Sequence, residues 1–139
     1  MIKLTDIQIK EIADWLDCGM RCYYNKQTGE IKHILNFDNW MYADEELWEE
    51  DLKELEENWE NYIEFEGMTS HDSFKVMAEF IDTVDNNYLR ERLLHALNNR
   101  KPFQNFKWVI DNSGKYRQQW FDYKKERYIE WVVEQLESR

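Results

Sequence analysis

The sequence predicts an α+β domain: a small antiparallel sheet packed on helices, followed by a helical C-terminal half. Three observations predict it. Two short β-prone runs flank a four-residue polar turn ending in glycine at Met20–Phe37. Apolar residues recur at helical spacing through most of the remaining chain. Only four glycines and one proline interrupt 139 residues, which implies long elements and short connections.

The elements follow in order. Thr5 and Gln8 have the spacing of a capping box, and Ile9, Ile12, Ala13 and Leu16 then mark one face of a helix that Gly19 ends. Met20–Asn25 and Glu30–Phe37 form a hairpin, with Gly29 supplying positive φ at the turn. Asp44 to about Asn58 reads as a helix with acids at its start and Leu47, Trp48, Leu52, Leu55 and Trp59 at helical spacing. Tyr62–Glu66 alternates and is a candidate third strand beside the hairpin. Four helices follow. Ser70 or Asp72 caps the first, which carries Phe74, Met77, Ile81 and Val84. Asp85-Asn86-Asn87 precedes the second, which carries Leu89, Leu93, Ala96 and Leu97 and ends at Asn98-Asn99. Pro102 suits the first turn of the third, with Phe103, Phe106 and Ile110 on one side, and Asn112-Ser113-Gly114 ends it. The last runs from about Lys115 toward Glu137, with Phe121, Tyr128, Val132 and Leu136 on its apolar stripe.

A chain of this length suits one domain, here divided as 1–67 and 68–139. The 22 aromatic residues supply a core, so the 34% charged content does not imply disorder. No apolar run resembles a membrane span or secretory signal, and two cysteines fit a reducing compartment. The expectation is a soluble cytoplasmic protein that meets no membrane.

Charge is unevenly placed. Residues 1–70 carry a net −12 and residues 71–139 a net +1. Asp44–Glu66 alone carries twelve acids against Lys53.

Three blocks carry a family resemblance. They are Leu4-Thr-Asp-Ile7 with Tyr24–Ile31; Met77–Ile81 with Leu89–Leu93, Ala96-Leu97 and Phe103–Lys107; and Trp120–Tyr123 with Arg127-Tyr128 and Glu130. Together they resemble the bacterial uncharacterised protein family 0158 across nearly the whole chain. The resemblance implies a bacterial, soluble, single-domain protein and transfers no chemistry.

No catalytic residue, metal site or cofactor is predicted. Cys18 and Cys22 with His33 have part of a zinc spacing, but a second ligand pair is missing. Ser70-His71-Asp72 sets three triad residue types side by side, whereas triads are assembled across a fold. The glycines are isolated, so no phosphate loop exists, and the acids lack a calcium-loop pattern.

Two stretches suggest interaction. Arg100–Arg127 has a net +5 with interleaved aromatics, so Arg100, Lys101, Lys107, Arg117, Trp120, Lys124, Lys125 and Arg127 are candidates for single-stranded nucleic acid. Overall acidity opposes that reading, because phosphate attraction sums over the protein's charges. Glu49, Glu50, Asp51 and Glu54 offer an acidic helix face. It is a solvated face, a counterpart of the chain's own basic helices, or a docking surface for a basic partner such as a toxin or a nucleic-acid-binding protein. The preferred expectation is a non-catalytic protein-interaction or regulatory module. An enzyme with an unrecognised site and a nucleic-acid-binding protein are the alternatives.

Overall fold

The computed structural model describes residues 3–35 and 48–138. These form six α-helices, a short 3-10 turn and one three-stranded sheet among the described residues. The chain divides into two compact units. One joins residues up to Gly67 with those from Tyr128 onward; the other is Met68–Arg127.

In the first unit, α1 (Asp6–Asp17) opens with the expected capping box, with Gln8 N donating to Thr5 Oγ1 at 3.1 Å and Thr5 N to Gln8 Oε1 at 2.9 Å. Gly19 ends it at φ +85°, a conformation costly for other residues. β1 (Met20–Asn25) and β2 (Ile31–Leu35) form the hairpin, pairing Cys22 with His33. Buried Asn25 organises the turn: its Oδ1 accepts from Gln27 N and Thr28 N, and Gly29 follows at φ +79°. β3 (Tyr62–Phe65) pairs antiparallel with β1, giving the order β2-β1-β3.

Alternation sorts the sheet into two faces. Cys22, Tyr24, His33, Ile63 and Phe65 share one face with α1, whose Ile12, Ala13 and Leu16 are buried. Arg21, Tyr23, Asn25, Lys32, Ile34, Tyr62 and Glu64 share the other, where Ile34 and Asn25 are buried among half-exposed polar side chains. Glu66 lies just past β3. Its N–H donates to Gln135 Oε1 at 2.9 Å, and its carbonyl accepts from Gln135 Nε2 and Trp131 Nε1.

The predicted acidic helix is described as α2 (Glu49–Glu57), with Trp48 as its N-cap. Asp44–Leu47 lie outside the described residues, as do Asn36 and Phe37 of the predicted second strand.

The second unit contains α3 (Ser70–Ile81), α4 (Asn87–Leu97), α5 (Pro102–Asp111) and the start of α6 (Lys115–Glu137). Its core centres on Phe80, Leu93, Phe106, Ile110 and Trp120. Trp120 lies 5.2 Å from Phe80 and 4.9 Å from Phe106, centroid to centroid. Each such aromatic pair contributes about 0.5–1.5 kcal/mol beyond its area burial.

Three local expectations are corrected. Thr69, not Ser70 or Asp72, caps α3; its hydroxyl accepts from Asp72 N at 3.1 Å, which places Asp72 at the third helical position. Phe103 is 41% exposed, whereas Val109 joins Phe106 and Ile110 inside. On α6 the second unit buries Tyr116 and Trp120, leaving Phe121 38% exposed under the Arg117 guanidinium. Helical spacing alone fits either aromatic of the Trp120-Phe121 pair, and packing against Phe80 and Phe106 selects the indole.

Candidate functional site

Two surfaces carry the residues that the sequence singles out. The first is α2. Glu49, Glu50 and Asp51 occupy its first turn, where carboxylates complement the helix dipole. No residue of this helix is buried. Its inner side bonds to the sheet face that carries Lys32 and Tyr62. Asp51 accepts from Lys32 Nζ at 3.0 Å, and Glu54 accepts from the Tyr62 hydroxyl at 3.3 Å. Burial pulls the Lys32 ammonium down, but Asp51 and Glu30 outweigh it and hold it above its ordinary range. The Tyr62 hydroxyl is raised by burial and by the Glu54 charge.

The outer side of α2 is different. Glu49, Glu50, Lys53, Glu56 and Glu57 are exposed, with Leu52 among them. Trp59 follows in the 3-10 turn Trp59–Asn61 at 70% exposure, beside exposed Glu60. The four acidic candidates are thus divided: Asp51 and Glu54 serve the sheet, and Glu49 and Glu50 face solvent.

The second surface lies on α4, α5 and the first part of α6. The structure places Trp120 in the core at 8% exposure. Lys107 and Arg117 converge on Asp111 at 3.1 and 3.3 Å, and the Lys107 hydrogen bond, then Arg117, holds that carboxyl below its usual range. Arg127 pairs with Glu79 and also donates to the Tyr123 hydroxyl at 3.1 Å. Lys124 is half-buried, and Lys125 and Arg100 are exposed. Lys101 precedes Pro102 at φ +56°.

Sequence reasoning missed the most exposed cluster on this side. Tyr88 of α4 is 71% exposed and Trp108 of α5 is 62% exposed. The Arg92 guanidinium sits 5.7 Å from the Tyr88 centroid and 5.9 Å from that of Trp108. The signal available was the Tyr88–Arg92 spacing of four residues, which brings both side chains to one helix face.

In the remaining motifs Asp72, Cys22 and His33 have structural partners. Ser70 and His71 are exposed, while Asp72 is held by the Thr69 hydroxyl and lowered by it. The Cys22 thiol is fully buried, faces Ile12 O at 3.9 Å, and is pushed up to about 12 by burial and then by Glu11. Such a thiol is a poor nucleophile and a poor metal ligand. Its neighbour His33 stacks on Trp15, with centroids 3.7 Å apart, and meets Trp48 edge-on. Among the described residues no group of three or more His, Cys, Asp or Glu is arranged to hold a metal ion. No described helix is long and apolar enough to cross a membrane.

Comparison with known proteins adds a family. A UPF0158 protein of Pseudomonas aeruginosa (strain PAO1) is 28% identical over 134 residues, covering 95% of this chain and 82% of that protein. No solved structure matches. The family model described as uncharacterised protein family UPF0158 matches residues 4–139, nearly the whole length, and the chain therefore belongs to that family.

Proposed function

We propose that this protein is a non-catalytic protein-interaction or regulatory module of the cytoplasm, and that α2 is the surface by which it meets a basic partner protein. The observation that carries the reading is the two-sidedness of α2. Its inner carboxylates, Asp51 and Glu54, are committed to Lys32 and Tyr62. Its outer carboxylates, Glu49, Glu50, Glu56 and Glu57, remain in water beside Leu52 and Trp59. Exposed carboxylates steer a cationic partner into encounter, and a tryptophan beside them provides apolar area of the kind that dominates binding hot spots. The cytoplasmic setting suits the unpaired thiols of Cys18 and Cys22.

A labelled arginine-rich peptide tests the surface directly by fluorescence anisotropy at two salt concentrations. The expected result is binding at low salt that weakens as salt rises. Reversing Glu49, Glu50, Glu56 and Glu57 to lysine spares Asp51 and Glu54, and should weaken binding roughly 10-fold or more. Trp59→Ala should weaken it at both salt concentrations. Equal binding by wild type and the reversed variant removes α2 from the function.

A further inference from the structure

We infer that the basic–aromatic face of α4 and α5 receives the acidic α2 of a second copy of this chain. The inference rests on the docking role proposed for α2 and names its partner.

The receiving face is built by two helices whose buried sides share one core: Leu89, Leu93 and Leu97 of α4 with Phe106, Val109 and Ile110 of α5. That packing holds the outer side chains in place. Tyr88 and Trp108 stand out from it, and Arg92 lies within 6 Å of both rings. A ring face attracts a guanidinium without cancelling its charge, so Arg92 still attracts an anion. Lys107 and Arg117 share Asp111 and offer less. Exposed Arg100 and Lys101, in the connection from α4 to α5, add positive charge at the end of the pair. The face therefore combines two large apolar rings with cations.

The complementary combination exists within the same chain. The outer side of α2 sets Glu49, Glu50, Glu56 and Glu57 around Leu52, with Trp59 just beyond. The wider charge division points the same way: the unit holding α2 carries 7 basic and 21 acidic residues, whereas Met68–Arg127 carries 11 basic and 8 acidic. Repulsion between two chains of net charge −11 is screened beyond about 8 Å at physiological salt. Complementarity at contact then decides the encounter. Each copy carries both surfaces, so a reciprocal exchange closes as a dimer and a one-way exchange extends as a chain.

Sedimentation equilibrium of the full chain over a concentration series, at physiological and high salt, tests this. The expected result is self-association that weakens with salt. Two full-length variants are made, one with the four α2 reversals above and one with Arg92→Glu and Arg100→Glu. Circular dichroism confirms that they fold, and Trp108→Ala, a change at an exposed ring, provides an independent probe of the same face. Each reversal alone should weaken self-association roughly 10-fold or more. Mixing the two reversed variants should restore association, because the swapped charges again oppose. A chain that stays monomeric at every concentration overturns the inference, and if the arginine-rich peptide still binds, the role of α2 stands without it. Self-association indifferent to both reversals also overturns it. So does a labelled single-stranded oligonucleotide that binds through Arg92 and Trp108 to a monomer, which would assign the face to nucleic acid.

Discussion

α2 and α5 are nearly the same length, 9 and 10 residues, and both carry apolar side chains at helical spacing. α5 buries Phe106, Val109 and Ile110, whereas α2 has half-buried residues but none fully buried. The difference lies in what each helix has beneath it. Under α5 lie the apolar side chains of α4 and Phe80, Trp120 and their neighbours. α2 instead meets the mixed face of the sheet, where it bonds to Lys32 and Tyr62. A helix held by packing stabilises its unit. A helix with no fully buried side chain adds less to stability and keeps its outer side available. Partly exposed ion pairs such as Lys32–Asp51 contribute of the order of 0–1 kcal/mol.

The sharpest way to break this comparison is in the core under α5. Phe80 is 1% exposed and contacts Trp120 and Tyr123. Phe80→Ala should cost about 3–5 kcal/mol in urea unfolding. A loss below about 1 kcal/mol would mean that the core does not carry the stability assigned to it. A smaller effect is expected where α6 ties to the end of β3. Gln135→Ala removes both bonds to the Glu66 backbone and should cost about 1 kcal/mol, with faster amide exchange at Glu66 as the local readout.

A third test uses pH. The Tyr116 hydroxyl donates to Asp85 and holds its carboxyl below the ordinary range; Asp85 in turn holds Tyr116 above its own. The Asp85 contribution is present above the unfolded carboxyl value of about 3.9 and is lost as pH falls through the depressed folded value. The Tyr116 contribution is present below the unfolded phenol value of about 10 and is lost as pH rises through the raised one. Tyr116→Phe should therefore be less stable than wild type at neutral pH, with the gap closing toward both extremes. A gap that is constant across the whole range would remove this pair from the pH dependence. The smallest effect belongs to α2: Leu52→Ala should change stability by no more than about 0.5 kcal/mol, because the side chain is already 36% exposed. A cost near that of Phe80→Ala would show α2 to be a packing helix.

Much of the fold was legible because its signals are local. Thr5 with Gln8, Gly19, Gly29 and Pro102 mark boundaries through backbone geometry and short-range hydrogen bonds, and each marks the element expected of it. The alternation of Tyr62–Phe65 likewise identifies β3. Thr69 was missed because three of four consecutive residues, Thr69, Ser70 and Asp72, have capping chemistry. The candidate surfaces were legible as charge and illegible as geometry. Asp51 and Glu54 look like Glu49 and Glu50 in a list of acids, and only their partners separate them. Trp120 and Trp108 both sit among basic residues, and only burial shows which ring is available.

What the sequence determined by itself was the kind and order of the elements, the division of charge and the family resemblance, because these depend on neighbours along the chain. What tertiary structure alone decided was which aromatic residues of α5 and α6 face inward, which carboxylates are spent on Lys32 and Tyr62, and that Arg92 joins Tyr88 to Trp108. Those outcomes depend on residues distant in sequence competing for the same buried space, and no local pattern records which of them prevails.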